Sequence, residues 1–302
     1  MSGRVHDFEV RPAGSGDVDG VLAALGDGYG RTFTREWFEW KHLENPWGPS
    51  RCWVAEDEGG LLGVVFGMPW RLALDGASVA CSRLVDGATT TRAQRRGVFR
   101  TVVAAELAAA QADAPGLVIA TATPEAQAAH VKNGATALAP IGSYYRPVRW
   151  APARLVDSAA VLDTWTSTGA GRLGTVWRGD AMRWRVDPRS GLEYRVSALA
   201  ACDQPHGVVH RTVGSAARTL VVAATWGSQA DVARLLRALA WREKAVAVLA
   251  PAGPGTSSAR PHAGLARGES LLCVWDHGSS VGASSLAASS WSLQGLDLEG
   301  VI

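Results

Sequence analysis

The chain has 302 residues, of which 47% are hydrophobic and 19% charged, with a formal net charge of +2. That length and balance describe a globular polypeptide able to bury a core, as one large domain or two of ordinary size. The weak charge excludes the strong basic field of a dedicated nucleic-acid binder, and no apolar run reaches the length of a bilayer span.

The segment Met1-Ser2-Gly3-Arg4-Val5-His6-Asp7 lacks the apolar core of a secretory signal. The four cysteines, Cys52, Cys81, Cys202 and Cys273, lie far apart and without metal spacing. They predict buried, reduced thiols in a cytoplasmic protein that holds no metal. Basic charge is almost all arginine, Lys41, Lys132 and Lys244 being the only lysines.

In chain order, Phe8–Arg11 reads as a first strand, and Asp17–Leu25 and Thr34–Leu43 as helices by apolar spacing. Three strands follow, Cys52–Ala55, Leu61–Leu72 and Ser78–Ala88, with hairpin signals at Asp57-Glu58-Gly59-Gly60 and Asp75-Gly76. Val98, Val102, Val103 and Leu107 recur at helical spacing through a run of alanines. Leu117–Ala120 is a buried strand of parallel type, Pro124–Lys132 a helix stopped by Asn133-Gly134, and Thr136–Trp150 the last strands of this half.

Between the third of those strands and the alanine-rich helix lies Gln94-Arg95-Arg96-Gly97-Val98-Phe99-Arg100. The first amides of a helix have no intrahelical acceptor, and the helix dipole makes that end partly positive. Gly97 lets anionic oxygens approach the main chain, and Arg95, Arg96 and Arg100 add charge. This turn is expected to hold a pyrophosphate. It is neither a Walker loop nor a dinucleotide fingerprint, because the Gly-Lys-Ser/Thr of one and the glycines of the other are missing.

The segment resembles the acyl-coenzyme A pyrophosphate loop of the GNAT superfamily of N-acyltransferases, written Gln/Arg-x-x-Gly-x-Gly/Ala. Gln94 and Gly97 match, while Phe99 replaces the final small residue, so its ring must pack elsewhere. The order of elements is also that of GNAT proteins, which implies an α/β fold with a mixed, mostly antiparallel central sheet flanked by helices. Trp40-Lys41 and Asn45-Pro46-Trp47-Gly48-Pro49-Ser50 resemble a segment of tandem-GNAT proteins.

The second half echoes the first. Met182-Arg183-Trp184-Arg185, with Pro188 and Gly191 downstream, repeats Trp37-Phe38-Glu39-Trp40-Lys41 with Pro46 and Gly48. Thr219–Thr225 reads as a strand, Ser228 as the cap of a helix to Trp241 with Asp231 as capping partner, and Ala245–Leu249 as a strand. No basic glycine turn stands at Trp226-Gly227-Ser228-Gln229. The expected organisation is therefore two GNAT-like domains in tandem, 1–150 with the loop and 151–302 without it. Pro251–Pro261, rich in Gly, Ser and Pro, reads as a loop.

The resemblance implies that acetyl-coenzyme A, or another acyl-coenzyme A, is the donor, bound where two strands splay at Leu84–Ala88 and Val118–Thr121. Main chain at Leu84 and Val85, with residues 94–100, would hold it. Acyl transfer to an amine needs a neutral amine, a polarised thioester and a protonated leaving thiolate. Many members place a tyrosine four residues before a glycine as the acid. Here that glycine is Gly134 and the residue is His130, whose imidazolium could serve. Asp86, beside Gly87 on a strand expected to bulge, is the candidate base. Glu39 and Glu44 are secondary candidates for the base, and Trp37, Glu39 and Trp40, with Trp47, for binding the acceptor, although aromatics at helical spacing also build cores.

Three functions follow. The first is an N-acyltransferase acting on a primary amine of a small molecule. The second is an aminoacyltransferase that takes its donor from charged tRNA on the same fold. The third is a non-catalytic sensor of acyl-coenzyme A or another small ligand.

Overall fold

Strand β1 (Glu9–Pro12) lies antiparallel to β2 (Arg51–Asp57), and the chain between them is helical. The structure, a computed structural model, describes residues 7–113, 116–165, 172–252, 265–279, 281–282, 287 and 291–293. Helix α1 (Val18–Tyr29) ends at Gly30, whose φ of 65° is the left-handed conformation that stops helices cheaply. Helix α2 (Arg35–Phe38) starts where expected, because the Thr34 hydroxyl accepts the Trp37 N–H at 3.1 Å. It then loosens into a π-helical turn, Glu39–Leu43.

Strands β3 (Gly60–Leu74) and β4 (Ala77–Thr89) form a hairpin. Its turn residues Asp75 and Gly76 have φ of 49° and 84°, as a two-residue turn matched to strand twist requires. Helix α3 (Val98–Asp113) crosses over to β5 (Leu117–Ala122), which runs parallel to β4. Helix α4 (Pro124–Lys132), capped by Thr123, and strand β6 (Thr136–Pro147) follow.

The chain forms two compact units. Among the described residues the first comprises those of Met1–Trp70, Ala80–Ala137 and Cys273–Gly282, and the second the remainder. The core of the first packs Val98, Val102, Val103, Leu107 and Ala110 of α3 on Leu62, Val65, Leu84, Val118 and Ala120 of the sheet. Each such Val or Leu, fully buried, contributes roughly 1.5–3 kcal/mol over an exposed one. The period-3.6 stripe of α3 has thus met the period-2 face of the strands.

The second unit contains β7 (Leu155–Asp157), β8 (Leu173–Thr175), α5 (Gly179–Arg185), β9 (Arg195–Leu199), β10 (Gly207–Val213), β11 (Thr219–Trp226), α6 (Gln229–Glu243) and β12 (Ala247–Ala252). Strand β13 (Leu265–Asp276) and the short β14 (Trp291–Ser292) complete the described chain. Within this unit β9, β10 and β11 pair antiparallel, α6 crosses over, and β12 returns parallel to β11. That is the order of β2, β3, β4, α3 and β5. Leu235, Leu236 and Leu239 of α6 pack on Leu199, Val208, Leu220, Val222 and Val248, as α3 packs in the first unit.

Each unit is completed by a strand distant in sequence. Strand β6 pairs antiparallel with β12, from Pro147 opposite Ala247 to Gly142 opposite Ala252. Strand β13 is the neighbour of β5, and its last residues, Cys273–Asp276, belong to the first unit. Cys81 and Cys273 are buried, as expected of all four thiols, whereas Cys52 and Cys202 are only half-buried. From residue 253 onward the predicted Pro251–Pro261 loop lies outside the described residues.

Candidate functional site

Strands β4 and β5 are paired from Cys81 opposite Leu117 to Leu84 opposite Ala120. Among the described pairings none follows, although β4 continues to Thr89 and β5 to Ala122. The strands therefore part just past Leu84, within the stretches where splaying was expected. The backbone supplies the reason. Asp86 has a φ of 48°, a left-handed conformation uncommon for a residue with a side chain. Leu84 faces the α3 core, and plain alternation would turn Asp86 the same way. Instead Asp86 reaches Lys41 and His42, and His42 stacks on Phe66, the neighbour of core-facing Val65. The kink thus carries its carboxylate to the opposite face of the sheet.

The basic turn sits at the end of this opening. Gln94, Arg95, Arg96 and Gly97 are all exposed. Arg95 and Gly97 have φ of 64° and 83°, and a Cβ on Gly97 would meet nothing within 4 Å, so its surroundings are open. Main-chain bonds hold Arg96 to Ala93 and Thr101 to Gly97, but among the described residues the amides of Gly97, Val98, Phe99 and Arg100 have no main-chain acceptor. Asp27 anchors the approach, taking the Thr91 amide at 2.5 Å and hydroxyl at 2.9 Å. Arg96 leans towards Asp57 at 3.6 Å, whereas Arg95 and Arg100 form no ion pair among the described residues. Bare amides, an unobstructed glycine and two uncommitted guanidinium groups suit a diphosphate.

The Phe99 ring, out of place in the loop pattern, has its own seat. A Cβ on Gly87 would stand 2.5 Å from its Cε2, so that glycine makes room for it. The ring also meets His130 edge-on, with centroids 5.5 Å apart, and His130 meets Trp275 at 5.3 Å. Trp275 donates to the Asn133 carbonyl and the Asn133 side chain to the Arg100 carbonyl, each at 2.9 Å, so β13, α4 and the first turn of α3 are tied together.

His130 is 4% exposed and its Nδ1 has no hydrogen-bond partner among the described residues. Burial lowers its pKa to about 4. At neutral pH it is uncharged, so it has no imidazolium proton ready for a thiolate.

Asp86 lies in a group of which the sequence reading caught only one member. Its Oδ2 is 2.5 Å from Lys41 Nζ and 3.3 Å from His42 Nε2. Lys41 is 4% and His42 1% exposed. Three consecutive residues, Trp40, Lys41 and His42, point inward because the π turn widens the helix there. Burial pushes the Asp86 carboxyl upward, but Lys41 and His42 more than reverse this and hold it well below the usual carboxylate range. An anion stabilised in this way is a poor proton acceptor. The signal for Lys41 was its rarity, one of three lysines beside 27 arginines. Nothing in the sequence marked His42.

The other candidates separate by burial. Trp37 is half-buried, 4.6 Å from Phe33 and 5.0 Å from Lys41 Nζ. Trp40 is wholly core, and Glu39 and Glu44 are exposed. Trp47 packs on Trp70 at 4.3 Å. Leu84 and Val85 are buried in β4 at the point of parting.

In the second unit the equivalent helix start is closed. The Ser228 hydroxyl accepts the Asp231 amide at 3.1 Å and donates to the Asp231 carboxylate, which adds negative charge where an anion would sit. Trp226, at the end of β11, fills the space above Gly207 and donates to Thr164 at 3.0 Å.

Residues 9–129 match the family model of the acetyltransferase (GNAT) domain. No curated protein matches the chain. Among solved structures it is similar to a GCN5-related N-acetyltransferase from Anabaena variabilis, at 13% identity over 90% of this chain and 73% of that one, with a TM-score of 0.68. It is also similar to one from Kribbella flavida, at 14% identity over 90% and 72%, TM-score 0.64. A third is Eis1 from Mycobacterium abscessus, at 15% over 93% and 76%, TM-score 0.58. Identities this low speak for the fold.

Proposed function

We propose that this chain, whose residues 9–129 match the family model of the acetyltransferase (GNAT) domain, is an acyltransferase that moves an acetyl or short acyl group from acyl-coenzyme A to a primary amine of a small molecule. One observation carries the reading: the exposed turn Gln94–Gly97 leads to bare helix amides beside the parting of β4 and β5. The amides of Gly97 to Arg100, with Arg95 and Arg100, would hold the diphosphate. The free edges of β4 and β5 beyond Leu84 and Ala120 would align the arm that carries the acyl group.

In the reaction the amine nitrogen forms a bond to the acyl carbon, the carbon–sulfur bond breaks, and the departing thiolate takes up a proton. The amine must first lose its own proton, for which water suffices. Asp86 stands on β4 just past its last pairing with β5.

We further assign residues 1–150 the donor-binding role and 151–302 that of a duplicated domain without it, which the repeated strand order and the self-capped α6 support. A cytoplasmic location agrees with four unpaired cysteines. Among the described residues no helix is long and apolar enough to cross a membrane.

The test is calorimetric titration with acetyl-coenzyme A, on the natural chain and on Gly97→Trp. Binding that disappears in the variant while its circular dichroism is unchanged supports the proposal. No binding to the natural chain, or equal turnover in both, sinks it; activity abolished by ribonuclease would favour charged tRNA as donor.

A further inference from the structure

The cluster around Asp86 has an asymmetry that bears on the acceptor. Lys41 and His42 both meet Oδ2. Among the described residues no contact to Oδ1 is made, and the side chain as a whole is 11% accessible. Beside it runs a row of rings. Tyr29 lies 5.7 Å from Phe33, Phe33 4.6 Å from Trp37, and Trp37 5.4 Å from His42. The row reaches Asp86 from both ends, since the Tyr29 hydroxyl donates to the Gly87 carbonyl at 3.2 Å and Trp37 lies over Lys41. Aromatic faces attract cations, and a carboxylate oxygen with no internal partner takes an ammonium hydrogen.

We propose that Lys41 and His42 are positioning residues that fix Asp86 as the anchor for a cationic acceptor, a primary alkyl- or arylalkylammonium whose apolar body lies along Tyr29 and Trp37. This rests on the acyl-transfer reading and gives it a substrate class. Asp86 then binds the ammonium without removing its proton, which leaves to water. Lys41 is needed because a carboxylate as buried as this one would otherwise tend to take up a proton and lose the charge that binds. Among the described residues the titratable groups around Asp86 are Lys41 and His42 on the π turn, the Tyr29 hydroxyl one residue away at Gly87, and His130 behind Phe99.

Phenethylamine is a suitable probe, with 2-phenylethanol as its uncharged counterpart. Asp86→Asn should raise KM for the amine about tenfold to a hundredfold, the worth of one charge-assisted hydrogen bond, with a much smaller change in kcat. In Lys41→Met, KM should become steeply dependent on pH and rise towards acid, and Lys41→Arg should restore the natural profile. A structural role for Lys41 would lower activity at every pH alike.

A fall in kcat at constant KM in Asp86→Asn would make Asp86 the base and overturn the proposal, as would equal affinity for the amine and the alcohol. If Lys41→Met does not fold, the natural chain decides. Its kcat/KM profile should move with the acceptor's own pKa across amines of different basicity, and an acid limb indifferent to the amine refutes the anchor. Calorimetry with phenethylamine alone separates the two readings, because it needs no donor: a protein that fails to bind acetyl-coenzyme A but binds the amine has lost only the acyl-transfer reading.

Discussion

A methyl group added to Gly67 should cost the first unit about as much as breaking a buried ion pair, roughly 3–5 kcal/mol. Gly67 lies on β3 directly beneath Glu106 of α3, and a Cβ there would overlap the Glu106 carboxylate. That carboxylate is fully buried. It accepts from Arg51 at 2.6 and 3.1 Å, from Trp53 Nε1 at 3.1 Å and from the Ser82 hydroxyl at 3.2 Å. Four donors converge from β2 and β4, so the carboxylate cannot move aside without abandoning several of them. Overpacking alone costs about 1–3 kcal/mol, and the stranded charge adds the rest. Against a typical domain stability of about 5–15 kcal/mol, that is a large share. Urea unfolding of Gly67→Ala followed by tryptophan fluorescence measures it. Gly16→Ala, where the added methyl meets nothing within 4 Å, serves as control and should change stability by less than about 0.5 kcal/mol. A loss under about 1 kcal/mol in Gly67→Ala would refute the reasoning. Because Glu106 also ties α3 to the sheet, the proposed function predicts a higher KM for acetyl-coenzyme A in the same variant.

Two further outcomes concern buried titratable groups. His130 and His210 are both enclosed, and burial, joined at His210 by Arg242, lowers each pKa from 6.5 to about 4. The unfolded chain therefore binds more protons between those values. Stability is at its full value above about pH 6.5 and falls as pH drops towards 4, by about 3 kcal/mol for each histidine. Thermal melts of His130→Phe should show a shallower decline from pH 7 to 5 than the natural chain; an equal decline would show that the ring does not titrate as its burial requires. Burial likewise raises the Cys273 thiol to about 11, so iodoacetamide at pH 8 should modify it only after unfolding. Peptide mapping that finds it alkylated in the native protein would contradict its place in the core.

Much of the architecture was legible because its signals are local. The Thr34 and Ser228 caps, the Asp75-Gly76 turn and the stop at Asn133-Gly134 each depend on a few neighbouring residues, and each appears in the structure where the residue types put it. The basic turn belongs with them, since exposure and a bare helix start need only a glycine, arginines and a strand–helix setting. The charged interior was not legible. Lys41, His42 and Glu106 look in sequence like ordinary helix-surface residues. The π turn that draws two of them inward has no reliable marker in composition, and Gly67, which makes space for the third, is one glycine among 34.

Periodicity and turn chemistry in the sequence thus determined the elements, their order and the exposed basic turn, because those depend on contacts within a few residues. Tertiary structure alone decided that β6 pairs with β12 and that the end of β13 joins the first unit. It also decided that Asp86 kinks to the far side of its sheet to meet Lys41, and that His130 is enclosed and uncharged. Strand partners and the charge of buried groups depend on residues brought together from far along the chain, and no local pattern records which ones will meet.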